Sequence, residues 1–276
     1  MKLNLNRYNN LTQRVIVALV GVMVIIVAII WSPWSYFIVF LALGLATILE
    51  FYKLTGLDGF MPLKTWGTLT GLLIYTVTFL VEMGLISYRY YLLIFPVSAI
   101  IFFIKLYKKS DDRPFTNIAY TFLGIIYVFV PFSLLHIIAF RTGHFQYEVI
   151  IGILFLIWAS DTGGYFSGTL FGRTKLFERV SPKKSWEGLA GGFVLAIIMA
   201  IVFSVLFDTL PMWKWIGMGI IAVISGTYGD LVESLFKRGI HIKDSGKILP
   251  GHGGFLDRFD ALLLSVPFMA PFILLF

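Results

Sequence analysis

Long apolar blocks alternate with short charged stretches along the whole chain. About nine of these blocks approach or exceed ~18 mostly apolar residues, the length at which a helix crosses a bilayer. They fall near residues 15–31, 34–50, 66–85, 90–106, 118–140, 149–171, 189–207, 215–236 and 259–276. A helix of a soluble protein would show a polar face, and these blocks show none. The pattern therefore predicts an all-α polytopic integral membrane protein with about nine transmembrane helices. So little chain separates the first two blocks that a tight hairpin is expected there. The last two are interrupted by acids: one holds Asp230 and Glu233, and the other opens among aspartates.

Lysine and arginine fall on alternate sides of the blocks. With the N-terminus inside, all of the 22 except Arg89, Arg141 and Lys214 lie in inside segments, which is the positive-inside distribution. This predicts a cytoplasmic N-terminus and an outside C-terminus. Lys2, Arg7 and Arg14 ahead of the first block resemble a signal peptide only superficially. The apolar stretch is too long and runs into Ser32-Pro33-Trp34 without a small-residue cleavage site, so it is the first span.

Composition sharpens this reading. Charged residues make up 13% of the chain, against about 25% in an ordinary soluble domain, and the mean hydropathy is +0.88. The net charge of +7 follows from the cations gathered on one membrane face, where they meet anionic lipid. No nucleic-acid-binding module accompanies it, so no nucleic-acid partner is expected. The chain has no cysteine, which excludes disulfides and thiolate chemistry. Polar residues concentrate late in the sequence. The chain thus divides into N-terminal scaffold spans, residues 1–148, and a C-terminal catalytic part, residues 149–276, with cytoplasmic loops at 172–188 and 237–258.

Three constellations carry candidate chemistry. The densest is the run 234–260. Asp257 and Asp260 are three apart, so on a helix they share a face and can hold a hard cation. Gly251-His252-Gly253-Gly254 precedes them, and glycine lets backbone amides approach an anion at a helix start. Lys237, Arg238, Lys243, Lys247 and Arg258 suit a polyanionic substrate. Asp230 and Glu233 end the preceding span, again three apart, and can complete a metal site from a second helix. The second constellation is Ser160-Asp161-Thr162-Gly163-Gly164-Tyr165 within an apolar span, where a carboxylate needs a partner or an ion. The third is Ser181-Pro182-Lys183-Lys184-Ser185-Trp186-Glu187-Gly188. Ser181 then Pro182 predicts a helix start, and an anion bound there would offset the two lysines. Taken singly, each feature has a plainer explanation in topology, helix-dipole charge or packing.

The four histidines lack zinc-ligand spacing. His252 could carry a proton or donate to phosphate, and His136 reads as a packed span residue. Neither a Walker-type loop nor an H-E-x-x-H motif is present. The residues alone lead to a metal-dependent site for a phosphorylated substrate at the inner membrane surface. They do not choose among phosphoryl transfer, nucleotidyl transfer and phosphate hydrolysis.

The run from Ser234 to Asp260 resembles the signature of the phosphatidate cytidylyltransferases, or CDP-diacylglycerol synthases. Ser234, Lys237-Arg238, Lys243-Asp244, Gly246, Leu249, His252-Gly253-Gly254, Asp257-Arg258 and Asp260 stand at that family's spacing. The stretch 181–188 and Asp161-Thr162-Gly163-Gly164 are also similar to it, while the N-terminal half matches only as a row of spans. The resemblance implies a magnesium-dependent reaction of CTP with phosphatidic acid, giving CDP-diacylglycerol and pyrophosphate in phospholipid biosynthesis. It further implies an active site facing the cytoplasm at a bacterial inner membrane, and a homodimer. On this reading Asp230, Asp257 and Asp260 bind magnesium, with Asp161 and Glu233 as second-rank ligands and a second cation left open. Asp257, Asp260, Lys237 and Arg258 are the expected catalytic residues. Lys183, Lys184, Ser181, Arg238, Lys243, His252 and the amides of Gly253 and Gly254 are expected to bind substrate. Two rival readings stand beside it: CTP-dependent modification of another lipid such as an isoprenoid, and an ion-coupled transporter or channel using Asp161 and Asp230.

Overall fold

The computed structural model describes residues 10–240, 242 and 254–276, with side chains from residue 18 onward. Helix α1 spans Asn10–Trp31, α2 Pro33–Leu57, α3 Lys64–Glu82, and α4 Ile94–Tyr107 behind a 3₁₀ turn at Tyr88–Leu93. Next come α5 (Pro114–Gly124), a π-helical turn (Ile125–Phe129) and α6 (Val130–Ala139), which form one rod. Helix α7 (Tyr147–Phe171) leads into a short hairpin of β1 (Lys175–Phe177) and β2 (Ser181–Ser185), then α8 (Trp186–Leu206), α9 (Met212–Gly239) and α10 (Leu256–Leu275).

These rods overlie the apolar blocks, and the protein is an all-α integral membrane protein apart from the small hairpin. Among the described residues, seven helical segments are long and apolar enough to cross a membrane: Pro33–Leu57, Tyr88–Tyr107, Pro114–Ala139, Tyr147–Phe171, Trp186–Leu206, Met212–Gly239 and Leu256–Leu275. The expected nine included α1 and α3. The described apolar part of α1, Ala18–Trp31, is shorter, and threonines and glycines dilute α3.

The expected hairpin between α1 and α2 is present, and Ser32 makes it. Its hydroxyl accepts from Ser35 N–H at 3.1 Å, while Ser32 N–H donates to Ser35 Oγ at 3.0 Å. This reciprocal cap, with Pro33 in the first turn, starts α2 one residue after α1 ends. Ser35 Oγ also donates to Ala28 O at 2.7 Å, tying the new helix to the old.

The predicted helix start at Ser181-Pro182 is not what forms. Residues Ser181–Ser185 pair antiparallel with β1, Lys175 opposite Ser185 and Phe177 opposite Ser181. Pro182 is tolerated on so short a ribbon, where its missing N–H leaves no interior ladder bond unmade. Ser185 is the helix cap instead, accepting from Gly188 N–H at 3.1 Å. Glu187 then reaches back to the amides of Arg173 and Thr174 at 3.2 and 3.1 Å, closing the loop. Lys183 and Lys184 therefore lie on a strand and not in the first turn of a helix.

Two sets of contacts define the ends of the bundle. At one end Arg141 donates to Thr209 O, and Lys214 donates to Ile273 O at 2.9 Å, binding the α6–α7 and α8–α9 connections and the end of α10. At the other, buried Lys105 pairs with Asp111 and donates to Met61 O at 2.7 Å. Asn117 donates to Asp111 and accepts from Met61 N–H at 2.7 Å. Burial opposes ionisation of Asp111, but the bonds from Lys105, the Arg113 amide and Asn117 outweigh it and hold the carboxyl below its ordinary range.

In the C-terminal half, α7 and α8 touch through small residues. A Cβ on Gly163 would lie 2.4 Å from Gly191 O, and one on Gly188 would lie 2.9 Å from Gly164 O. Glycines in apolar helices allow such backbone contact, so Gly163 and Gly164 of the second constellation serve packing. Gly163→Ala is expected to destabilise the detergent-solubilised protein by about 1–3 kcal/mol through overpacking. Gly239→Ala, where nothing lies within 4 Å, is the control. Equal melting temperatures for Gly163→Ala and wild type would show that the helices can part at little cost.

Candidate active site

The acids meet where α9 ends and α10 begins. A Cβ on Gly229 would lie 2.5 Å from the backbone oxygen of Asp260. Only glycine allows that approach, and it brings the following residue, Asp230, beside Asp260. Glu233, one turn further along α9, faces the same way. One carboxylate oxygen from each of Asp230, Glu233 and Asp260 lies within 4.8 Å of the others. Glu233 is 2% and Asp260 8% exposed. Three carboxylates so placed repel one another strongly.

Cations hold the rim. Lys237 Nζ lies 2.7 Å from both Glu233 Oε2 and Asp257 Oδ1. Lys184 Nζ reaches from β2 to Asp230 Oδ2 at 2.7 Å and donates to Thr227 O at 3.0 Å. Ser234 Oγ donates to Asp230 at 3.3 Å. Asp161, on α7, interacts electrostatically with Lys184, Asp230 and Arg258, and Asp260 with Asp230, Asp161 and Lys184. Among the described residues of the site, the acids Asp161, Asp230, Glu233, Asp257 and Asp260 outnumber the cations Lys184, Lys237 and Arg258, a balance that favours a bound cation.

The donor set fits such an ion. Hard divalent cations take carboxylate oxygens, and the three acids offer one each within 4.8 Å of the others.

Several residues picked from the sequence are separated by the structure. Glu233, ranked second, belongs to the three-acid group. Asp257, ranked first, adjoins that group through Glu233 and the shared Lys237, and it accepts from Gly254 N–H at 3.0 Å, so that amide is engaged within the protein. Lys184 points to the acids, while Lys183, the next residue on the strand, projects to the opposite face and is exposed. Ser181 pairs in the hairpin, and Arg238 is exposed at the end of α9. Lys243, His252 and Gly253, with His241 and Lys247, lie outside the described residues. His136 is fully buried among Tyr36, Phe37, Tyr75 and Phe79, as expected of a packed span residue.

Residues 12–276 match the model of the cytidylyltransferase family. The chain belongs to this family. As a cytidylyltransferase it is a nucleotidyltransferase, and the acids and lysines above are its candidate active site. A Haemophilus influenzae protein named phosphatidate cytidylyltransferase is 32% identical over 289 residues, covering 95% of this chain and 98% of the relative. Proteins of the same name are similar over shorter stretches. One from Staphylococcus haemolyticus is 40% identical over 156 residues, 56% of this chain and 58% of the relative. One from Bacillus subtilis is 43% identical over 122 residues, 44% of this chain and 45% of the relative.

An acid in the first half of this cytidylyltransferase also bears on the site. Glu50 sits on α2, in the part read as scaffold, and is 2% exposed. Its Oε2 accepts from Phe255 N–H at 2.7 Å, across 205 positions of sequence, and so fixes the start of the helix that carries Asp260. The signal was available, because an acid bordering an apolar block calls for a partner as Asp161 does. Glu50→Ala is expected to lower unfolding stability by about 1–3 kcal/mol, since it strands a buried N–H. Glu50→Gln keeps an acceptor and most of that stability. Denaturant titration in detergent checks this, and Glu50→Ala matching wild type would remove the clasp from the account.

Proposed function

We propose that the protein transfers the cytidylyl group of CTP to phosphatidic acid with magnesium, releasing CDP-diacylglycerol and pyrophosphate. The observation that carries the reading is the meeting of Asp230, Glu233 and Asp260 between two apolar helices, with Lys184 and Lys237 at their edge. The shared name of the relatives supports the substrates. The segregation of lysine and arginine supports a cytoplasmic site in a bacterial inner membrane, with the C-terminus outside and α1 and α3 among about nine spans.

In this reading Asp230, Glu233 and Asp260 hold magnesium, and Asp161 stands beside them on α7. The bound ion supplies charge neutralisation at the phosphates. A phosphate oxygen of the lipid attacks the α-phosphorus of CTP. The bond from that phosphorus to the bridging oxygen of the β-phosphate breaks, and pyrophosphate carries the electrons away. No protein nucleophile is needed, so the residues' work is positioning and charge compensation. Lys237 is held between Glu233 and Asp257 with its charge fixed in place, and Asp257 acts through it. Lys184 and Arg258 offer further positive charge to the phosphates. The apolar surroundings strengthen each of these interactions. Residues 149–276 supply the chemistry and residues 1–148 support it. The family resemblance favours a homodimer.

Purified protein with labelled CTP is expected to release pyrophosphate only when phosphatidic acid is present, and an isoprenyl phosphate should not substitute for it. Asp230→Asn and Asp260→Asn should each lower turnover by roughly 100-fold or more, the scale of losing one preorganised electrostatic contact. Pyrophosphate release without lipid phosphate, or near wild-type turnover in both variants, would overturn the proposal.

A further inference from the structure

The rod at 114–139 is interrupted at its middle. Over Ile125–Phe129 it is π-helical, and Val130 N–H bonds back to Ile125 O. Pro131 supplies the local reason. It has no N–H to offer the Tyr127 carbonyl four residues earlier, and its ring crowds that oxygen. The ladder slips by one residue and the turn widens, which re-aims the side chains it carries. Such turns occur frequently at functional sites.

Tyr127 is the polar side chain on this turn. Its ring packs against Phe51, centroids 6.2 Å apart, and Phe51 stacks on Phe236 of α9 at 5.3 Å. Its hydroxyl is buried, with no hydrogen-bond partner among the described residues. Tyr52 and Tyr75 differ, donating to Thr121 O at 2.7 Å and to Phe37 O at 3.0 Å, while Tyr36, packed against His136 and Phe145, shares the lack of a partner among the described residues. Tyr127 interacts electrostatically with Asp260, Glu233 and Asp230, the same three acids that group at the ends of α9 and α10. A buried hydroxyl without a partner is unfavourable. A donor beside a cation-binding group of acids is suited to the anionic oxygens that such a cation attracts.

We propose that Tyr127 is a substrate-binding residue whose hydroxyl donates a hydrogen bond to a phosphoryl oxygen of the substrate bound at the three acids. The first half of the chain then closes the active site as well as supporting it. This rests on the preceding reading of the site as one that joins a nucleoside triphosphate to a lipid phosphate. Either substrate could provide the oxygen.

Tyr127→Phe in the full-length protein tests the proposal, because phenylalanine keeps the ring against Phe51 and removes only the donor. The melting temperature in detergent should be unchanged. One KM should rise about tenfold, the worth of a hydrogen bond to a charged group, with a smaller change in kcat. A rise in the KM for CTP, matched by weaker retention of labelled CTP in equilibrium dialysis without lipid, assigns the bond to the nucleotide. A rise confined to the KM for phosphatidic acid assigns it to the lipid. Wild-type values for both KM overturn the proposal, whether or not kcat falls. Should wild-type protein itself fail to join CTP to phosphatidic acid, the functional reading fails and not the assignment of Tyr127 alone.

Discussion

Like charges held together between apolar helices are the constraint around which this protein is arranged. Asp230, Glu233 and Asp260 would separate if their helices could, because a low-dielectric surrounding strengthens repulsion. Gly229 removes the side chain that would keep α9 away from the Asp260 carbonyl. Lys184 and Lys237 each tie one of the acids from outside the group. The cost of assembling the acids is met by packing elsewhere, and a cation binds best where that cost has already been met.

The packing that meets it reaches across the chain. Glu50 fixes the residue before α10, Phe51 stacks on the end of α9, and Phe132 lies 5.8 Å from Phe259 beside the acids. Each of these contacts comes from the half whose sequence reads as a row of spans. Helices that supply such contacts determine where the acids stand, even though few of their own side chains carry charge. The small residues of α7 and α8 act similarly from the other side, since their close backbone contact sets where Asp161 stands relative to Lys184.

The hairpin at 175–185 shows how a local signal can be outweighed. Ser181-Pro182 reads as a helix start in isolation. The helix begins later, at Trp186, where Ser185 caps it and Glu187 satisfies the amides of Arg173 and Thr174. The residues before it become a strand, and strand alternation then turns Lys184 toward α9 and Lys183 away.

By itself the sequence determined the membrane class, the positions of the helical rods and a candidate group of five acids, Asp161, Asp230, Glu233, Asp257 and Asp260, within which the three that cluster are found. Hydrophobic length and the spacing of acids along a helix are local properties, and a linear reading recovers them. What it could not show was that Lys237 bridges Glu233 and Asp257, or that Lys184 and not Lys183 faces the acids. Those contacts run between elements far apart in sequence. The need of Glu50 for a partner was legible at the edge of an apolar block, but the partner itself, the Phe255 amide 205 positions away, was not; the setting of Tyr127 likewise exists only once the π turn lies near α9 and α10.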